Sequence, residues 1–198
     1  MTGALLHGYL AGHRVVFDSI EVLAGEITTA AERLAQCLRD GGKILLCGNG
    51  GSAADCQHLA AEFTGRFQAE RAPLAALALT TDSSALTCIG NDYGFEHVFA
   101  RQVLALGRPG DCLVGISTSG RSPNVLRAMA AARGMGLRTV GLLGRTGGRI
   151  KALSDVAIVV PSATTARIQE AHILIGHTLC GLVEQGLGLC APAGCAAE

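Results

Sequence analysis

The sequence has no tryptophan, few other aromatic residues and no excess of charge. Aromatic residues make up 4% of its 198 positions, and 16 basic residues balance 16 acidic ones. A chain without a basic excess has no broad positive potential for binding nucleic acid or an anionic membrane surface. We therefore expect neither as a partner.

Patterns that would direct a chain into or across a membrane are also missing. No uninterrupted apolar run approaches the roughly 18 residues that a transmembrane helix needs. The first residues lack a basic segment followed by an apolar stretch, which a secretory signal would show. From this pattern we expect a cytoplasmic protein.

Disulfide-forming patterns are missing as well. The eight cysteines include no C-x-x-C pair, and most of them lie inside apolar runs. Disulfide frameworks belong mainly to short secreted domains, so we expect reduced and buried thiols here. Only Cys190 and Cys195, in a tail of small residues, are expected to be exposed enough to oxidise.

Short apolar runs alternate with longer helical patterns along most of the chain. Hydrophobic residues form 49% of the sequence, which is enough to bury a core. Such runs are typical of buried parallel strands. The alternation predicts a single α/β domain over 1–198, a three-layer fold with a central five-stranded parallel sheet flanked by helices. Strands are expected at 43–47, 77–79, 112–116, 139–143 and 156–160, and helices near 52–66, 94–106, 122–134, 147–153 and 165–187.

Residues 1–40 form a long helical region outside this alternation. Apolar residues recur along it at helical spacing, and two glycines at 41–42 end it. This apolar stripe has no partner in a single layered domain, so we expect it to pack against another subunit of a homo-oligomer. At the other end of the chain, residues 190–198 are expected to fray.

Two loops after predicted strands have the composition of anion-binding loops. The first, 48–55, reads Gly-Asn-Gly-Gly-Ser-Ala-Ala-Asp. Its spacing fits neither a dinucleotide fingerprint nor a P-loop, and glycine-rich loops are often only tight turns. The second loop, 117–124, carries more hydroxyls than capping one helix requires. Together with helix N–H groups, these hydroxyls can bind a phosphate monoester. These hydroxyls belong to Ser117, Thr118, Ser119 and Ser122.

Ionisable side chains recur on the helix after the first loop. His58, Glu62 and Arg66 are spaced four residues apart, so successive pairs share a helix face. The same spacing is typical of a ladder of surface ion pairs. Because the helix begins at a candidate ligand loop, its polar face can also point into a site.

The last predicted helix carries a second polar set. Gln169 and His177 are two turns apart and point broadly the same way, whereas His172 lies off to one side. A lone histidine on an apolar helix face is more often a core residue than a catalytic one. We interpret His172 as such a structural residue.

Several segments, in order, resemble the phosphoheptose isomerases and cover the chain from about 40 to 185. They are the glycine loop at 48–55, Gln-His at 57–58, the run 62–66, Gly-Asn-Asp-Tyr-Gly at 90–94, Ser-Thr-Ser-Gly at 117–120 and Ala-Arg-Ile-Gln-Glu-Ala-His at 166–172. The resemblance implies the SIS fold and an aldose–ketose isomerase. Its reaction would convert D-sedoheptulose 7-phosphate to D-glycero-D-manno-heptose 7-phosphate through an enediol, the first step of bacterial heptose biosynthesis.

The resemblance also implies roles for individual residues. Glu62 and His177 would be the catalytic pair. One Zn²⁺ per subunit would be held by His58, Glu62, Gln169 and His177, although a ligand atom that binds zinc cannot take a proton at the same time. The subunits would form a tetramer with sites at their interfaces. The substrate would be bound by Asn49, Gly50, Gly51, Ser52, Glu62, Arg66, Asn91, Asp92, Ser117, Thr118, Ser119, Ser122 and Gln169.

Two other functions remain open at this point. A non-catalytic SIS scaffold that binds the replication initiator would share the glycine loop, but such scaffolds lack equivalents of Glu62 and His177, which this sequence has. An isomerase acting on another sugar phosphate is the second alternative. Arg121, where the family often has asparagine, adds a cation beside the hydroxyl loop and bears on substrate choice.

Overall fold

A sheet of five parallel strands lies at the centre of the protein. The computed structural model describes residues 2–68 and 70–189. The strands are β1 (Ile44–Gly48), β2 (Ala76–Ala78), β3 (Cys112–Ser117), β4 (Arg138–Gly144) and β5 (Val156–Val160). They pair in the order β2-β1-β3-β4-β5, every neighbouring pair parallel. The predicted sheet is confirmed, with each strand end within one residue of its expected position.

Helices cover both faces of the sheet. They are α1 (Thr2–Asp18), α2 (Ala24–Arg39), α3 (Gly51–Thr64), α4 (Ser83–Tyr93), α5 (Val98–Leu106), α6 (Pro123–Gly134) and α7 (Thr165–Gly186). The long N-terminal helical region is confirmed, although a 3₁₀ turn at Glu21–Leu23 divides it into two helices. The three-layer α/β arrangement is therefore the predicted one.

Several helix boundaries differ from the sequence prediction. Helix α3 ends at Thr64, because the chain leaves helical geometry at Gly65. The segment 147–153 contains only a 3₁₀ turn at Lys151–Leu153 rather than a helix. Helix α4 was not predicted at all, and the reason is that none of its residues is buried. A helix without a buried face has no apolar periodicity to reveal it.

The strands divide their side chains between two cores. Ile44 and Leu46 of β1 pack into the core formed with α2, α3 and α7. Leu45 and Cys47 point the opposite way, into the core formed with α5 and α6. Because alternate strand residues face opposite sides of a sheet, a fully apolar strand requires helices on both faces.

The strand order creates one place where successive connections leave in opposite directions. Strands β1 and β3 are neighbours, but β2 lies on the other side of β1. Open α/β sheets bind ligands beyond the carboxyl ends of the strands at such a point. Gly48 of β1 is paired with Ile116 of β3, so the two candidate loops leave the sheet side by side.

The six cysteines within the described residues are free thiols, and most of them are buried. The buried thiols are those of Cys37, Cys47, Cys56, Cys112 and Cys180, and burial raises the pKa of Cys47 to about 12. Cys88 on α4 is exposed, which corrects the expectation that only the tail cysteines would be. Cys190 and Cys195 lie outside the described residues.

Helix α1 packs on α7 but leaves much of its apolar surface uncovered. Arg167 donates a hydrogen bond to the Tyr9 carbonyl at 2.8 Å, and His13 pairs with Glu170 at 2.9 Å. Leu5 and Val15 are nevertheless 59% and 71% exposed. Among the described residues, no helix combines the length and the apolar character that crossing a membrane would require.

Candidate active site

The glycine loop connects β1 to the first turn of α3. Gly50 has a φ of +58°, a conformation that side chains with a Cβ rarely adopt. At Gly51 a Cβ would overlap the side-chain amide of Gln169. A side chain at position 51 would therefore displace the Gln169 amide from the loop.

The hydroxyl loop connects β3 to α6. The Ser117 and Ser122 hydroxyls lie 2.9 Å apart, and the Gly120 amide donates to the Ser117 Oγ at 3.1 Å. Pro123 occupies the first turn of α6, where a missing N–H costs nothing. The Ser119 hydroxyl instead accepts a hydrogen bond from the Arg121 amide at 3.2 Å.

A cavity of about 280 Å³ lies between these two loops and the start of α7. Its lining comprises Asn49, Gly50, Gly51, Ser52, Ile116, Ser117, Thr118, Ser122, Thr165 and Gln169. The first turns of α3 and α7 and the residue before α6 contribute to it. Helix N-termini carry partial positive charge and unpaired N–H groups, so their convergence favours an anion.

An amide pair joins the two loops at the edge of the cavity. The Asn49 Nδ2 donates to the Asn124 Oδ1 at 2.9 Å, and the Asn124 Nδ2 donates to the Asn49 Oδ1 at 2.7 Å. The Asn124 Oδ1 also accepts from the Val125 amide at 2.9 Å. This network holds the start of α6 against the end of β1, so the cavity walls keep a fixed spacing.

Three ionisable side chains from α3 and α7 meet in a cluster. The Nε2 atoms of His58 and His177 lie 2.8 Å apart, and the His58 Nε2 lies 3.3 Å from the Glu62 Oε1. One candidate ligand atom from each residue lies within 4.8 Å of the others. The ring of Phe67 stacks on that of His177, with centroids 5.5 Å apart. The sequence spacing of His58 and Glu62 thus produces a shared face, and α7 supplies the third group.

The donor set of this cluster fits a divalent metal ion. Two imidazoles and one carboxylate are the protein ligands of many catalytic zinc sites, which leave a further position for water or substrate. The fourth ligand implied by the family resemblance, Gln169, lies against Gly51 in the cavity wall. The structure brings His58, Glu62 and His177 together as candidate metal ligands.

Asp55 is a residue of this region that the sequence analysis did not single out. It lies one turn before His58, and its Oδ2 is buried without a hydrogen-bond partner among the described residues. Burial raises the pKa of this carboxyl group, while the nearby His58 and His177 act to lower it. The sequence signals for it are its place at the end of the glycine loop and its spacing of three residues from His58.

Arg66, Asn91 and Asp92 are predicted site residues that neither line this cavity nor belong to the cluster. Arg66 follows the end of α3 with a side chain 60% exposed, and its Nε lies 3.8 Å from the Glu70 Oε2. Asn91 and Asp92 are exposed on α4, where the Asn91 Nδ2 donates to the Asp92 Oδ1 at 2.8 Å. The expectation that Arg66 shares the helix face of Glu62 is wrong, because the helix ends at Thr64.

His172 has the structural surroundings that the sequence suggested. Its side chain is 1% exposed, and its Nε2 lies 3.0 Å from the Leu143 carbonyl of β4. Burial lowers the pKa of His172 to about 4. The ring is therefore neutral at physiological pH, and its Nε2 donates a hydrogen bond to the Leu143 carbonyl.

Comparisons with known proteins agree with this geometry. The SIS domain family model matches residues 8–144. The phosphoheptose isomerase of Campylobacter jejuni is 58% identical over 88% of this chain and 94% of that protein. The phosphoheptose isomerase of Solidesulfovibrio magneticus is 65% identical over 81% of this chain and 78% of that protein.

Solved structures give the same result. The phosphoheptose isomerase of Neisseria gonorrhoeae superposes with a TM-score of 0.89 at 50% identity, covering 93% of this chain and all of that one. The enzyme of Francisella tularensis superposes with a TM-score of 0.90 at 38% identity, covering 93% of this chain and 99% of that one.

Proposed function

The chain belongs to the phosphoheptose isomerase family of SIS-domain proteins, and we propose that it converts D-sedoheptulose 7-phosphate to D-glycero-D-manno-heptose 7-phosphate. This reaction is the entry to bacterial heptose biosynthesis. The observation that carries the proposal is that Glu62 and His177, from two different helices, lie together near a cavity lined by hydroxyls and helix N-termini.

The distance between cavity and cluster matches the length of the substrate. Ser52 lines the cavity, and His58 stands six residues further along α3, a rise of about 9 Å at 1.5 Å per residue. Eight single bonds separate C1 of an open-chain heptose 7-phosphate from its phosphorus atom. At about 1.2 Å per bond of an extended chain they span about 10 Å. A phosphate held in the cavity would therefore place C1 and C2 near Glu62 and His177.

The cavity would bind the phosphate without a lysine. The hydroxyls of Ser117, Thr118 and Ser122 face the same space as the first turn of α3. Hydrogen bonds to a charged acceptor are stronger than those between neutral groups. Binding at the phosphate would hold the chain of the sugar in an orientation that favours reaction at its other end.

The isomerisation moves two protons. A base removes one proton from C1 of the ketose, and the electron pair forms the C1–C2 double bond of the enediol as a proton reaches the C2 oxygen. The proton taken from C1 is then delivered to C2 while the C1 oxygen loses its own proton, which gives the aldose. Glu62 and His177 together supply a carboxylate and an imidazole for these transfers. A hydrogen bond across the 2.8 Å between the Nε2 atoms of His58 and His177 needs one of these atoms to act as the acceptor.

We propose that His58, Glu62 and His177 hold Zn²⁺, with Gln169 as an additional contact. When bound, the ion would stabilise negative charge on the substrate oxygens as a Lewis acid. Elemental analysis of protein purified without chelators tests this: about one Zn²⁺ per subunit is expected, and it should fall sharply in His58→Ala. A metal-free protein whose activity does not respond to added Zn²⁺ would contradict the proposal.

The reaction itself is tested by incubating the protein with sedoheptulose 7-phosphate and following the aldose product by NMR. Wild-type protein with Zn²⁺ supplied is expected to turn over, whereas Glu62→Gln and His177→Ala should lose most of the activity. Glu26→Gln on the exposed side of α2 is a matched control that should keep it. No turnover by wild type would refute the function, and full activity of Glu62→Gln would refute the assigned roles.

We further propose that the protein is a homotetramer, in which the exposed apolar surface of α1 packs against other subunits. Support comes from the exposure of large apolar side chains on that helix, those of Leu5, Leu6, Tyr9, Leu10 and Val15. Light scattering after gel filtration would measure the mass, and a monomer at micromolar concentration would contradict it. The cytoplasmic location stays a prediction for cell fractionation to test.

A further inference from the structure

Arg71 and Glu184 form a fully buried ion pair behind the catalytic cluster. The Arg71 Nε donates to the Glu184 Oε1 at 2.6 Å, and each side chain is 1% exposed. Arg71 lies in the loop after α3, and Glu184 lies on α7 two turns beyond His177. Burying two charges costs desolvation that their attraction often does not repay, so such a pair is weak evidence of stability by itself.

The guanidinium group bonds to the last turn of α3. Its Nη2 donates to the Glu62 carbonyl at 2.7 Å, and its Nη1 donates to the Phe63 carbonyl at 2.9 Å and the Gly65 carbonyl at 3.2 Å. The last carbonyls of a helix lack partners within the helix. Arg71 therefore fixes the backbone at Glu62 itself.

The carboxylate connects the same network to His177. The Glu184 Oε1 also accepts a hydrogen bond from the Phe67 amide at 3.3 Å, and the Phe67 ring stacks on the His177 ring at 5.5 Å. The buried Cys180 thiol lies on α7 between His177 and Glu184. Burial, with the charges of Glu62 and Glu184, raises its pKa to about 12, whereas the charge of Arg71 acts to lower it. One network thus contacts the backbone of one proposed acid–base residue and the ring of the other.

We propose that Arg71, held in place by Glu184, is a positioning residue that sets the separation of Glu62 and His177. The inference rests on the proposed function, because it assigns a role within that reaction. Arginine is suited to it since its planar group reaches several carbonyls and one carboxylate at once, which a lysine cannot do.

The test is Arg71→Lys, which keeps the charge opposite Glu184 but loses most of the carbonyl hydrogen bonds. The kcat for sedoheptulose 7-phosphate is expected to fall about 10- to 100-fold, since misplacement by about 1 Å has effects of that size. The KM should stay within about threefold, because the phosphate cavity is lined by the first turns of α3 and α7, at the opposite ends of these helices from the Arg71 contacts. With substrate deuterated at C1, the isotope effect on kcat should increase, because proton transfer becomes more rate-limiting.

A matched control separates positioning from stability. Lys43→Gln removes another ion pair, which Lys43 forms with Asp111. This pair is partly buried and lies at the amino ends of the strands, opposite the site. Lys43→Gln should lower the melting temperature and leave kcat and the isotope effect unchanged. If Arg71→Lys does not fold, Glu184→Gln is the second variant, and the same kinetic change is expected from it.

The outcomes distinguish the inference from the proposed function. Wild-type turnover together with normal kcat in both folded variants would overturn the positioning role alone. An equal loss of kcat in Lys43→Gln would also overturn it, since destabilisation would then explain the effect. Absence of turnover by the wild type would overturn the function and this inference with it.

Discussion

Gly176 lies where α7 packs on α3, and its replacement by alanine tests how finely the two helices are spaced. A Cβ at this position would lie 2.7 Å from both terminal methyl carbons of Leu59, which is 3% exposed. Carbon atoms in contact prefer about 3.5–4.0 Å. The helices or the Leu59 side chain must therefore shift by about 1 Å.

The effects on stability and on activity should differ. Overpacking of this kind costs about 1–3 kcal/mol, and replacing a glycine within a helix by alanine returns about 1 kcal/mol. The free energy of unfolding of Gly176→Ala should therefore fall by about 0–2 kcal/mol. A shift of about 1 Å between Glu62 and His177 should lower kcat by up to about 100-fold.

The assay compares kcat and urea unfolding across a short series. Gly181→Ala, on the same helix, places its Cβ 3.6 Å from Phe67 in ordinary contact, so it should keep kcat. Leu59→Val removes the clashing carbons and should restore kcat when combined with Gly176→Ala. Wild-type kcat in Gly176→Ala, or no recovery in the double variant, would refute the reasoning.

Two further predictions concern the cavity and the buried histidine. Ser122→Ala should raise the KM for sedoheptulose 7-phosphate about tenfold with little change in kcat, since one hydrogen bond of about 1–1.5 kcal/mol to the phosphate is lost. Steady-state kinetics would measure this change, with Ser84→Ala, exposed on α4, as the control. An unchanged KM in Ser122→Ala would contradict the prediction. Burial lowers the pKa of His172 from 6.5 to about 4, so between these values the unfolded chain binds more protons than the folded one. The contribution of His172 to the free energy of unfolding is therefore fully present above about pH 6.5. It is lost as the pH falls towards 4, which lowers the free energy of unfolding by about 3 kcal/mol. In His172→Gln this decrease should be smaller when urea unfolding is measured across that pH range, and an identical pH dependence would contradict the prediction.

The strands could be predicted from sequence because their signal is local. Each is a short apolar run between polar or glycine residues. Because such a strand is buried on both faces, most of its residues are apolar and the run is visible in the sequence. The glycine and hydroxyl loops were predictable for the same reason, since each follows a strand directly. Helix α4 was missed because it has no buried side chain.

The site could be predicted only in parts. The four-residue spacing of His58 and Glu62 is visible in the sequence, and the family resemblance added His177. The spacing also placed Arg66 on the helix face of Glu62, whereas the helix ends at Thr64, before Arg66. Asp55 gave too little signal to be noticed.

The sequence by itself determined the layered α/β fold, the two loops at neighbouring strand ends and the residue types of the proposed chemistry. Only the tertiary structure decided that the Nε2 atoms of His177 and His58 lie 2.8 Å apart and that Arg71 pairs with Glu184. These contacts join residues 119 and 113 positions apart. Periodicity reports the faces of single elements, whereas the approach of α3 to α7 depends on packing between them, including the space left at Gly176.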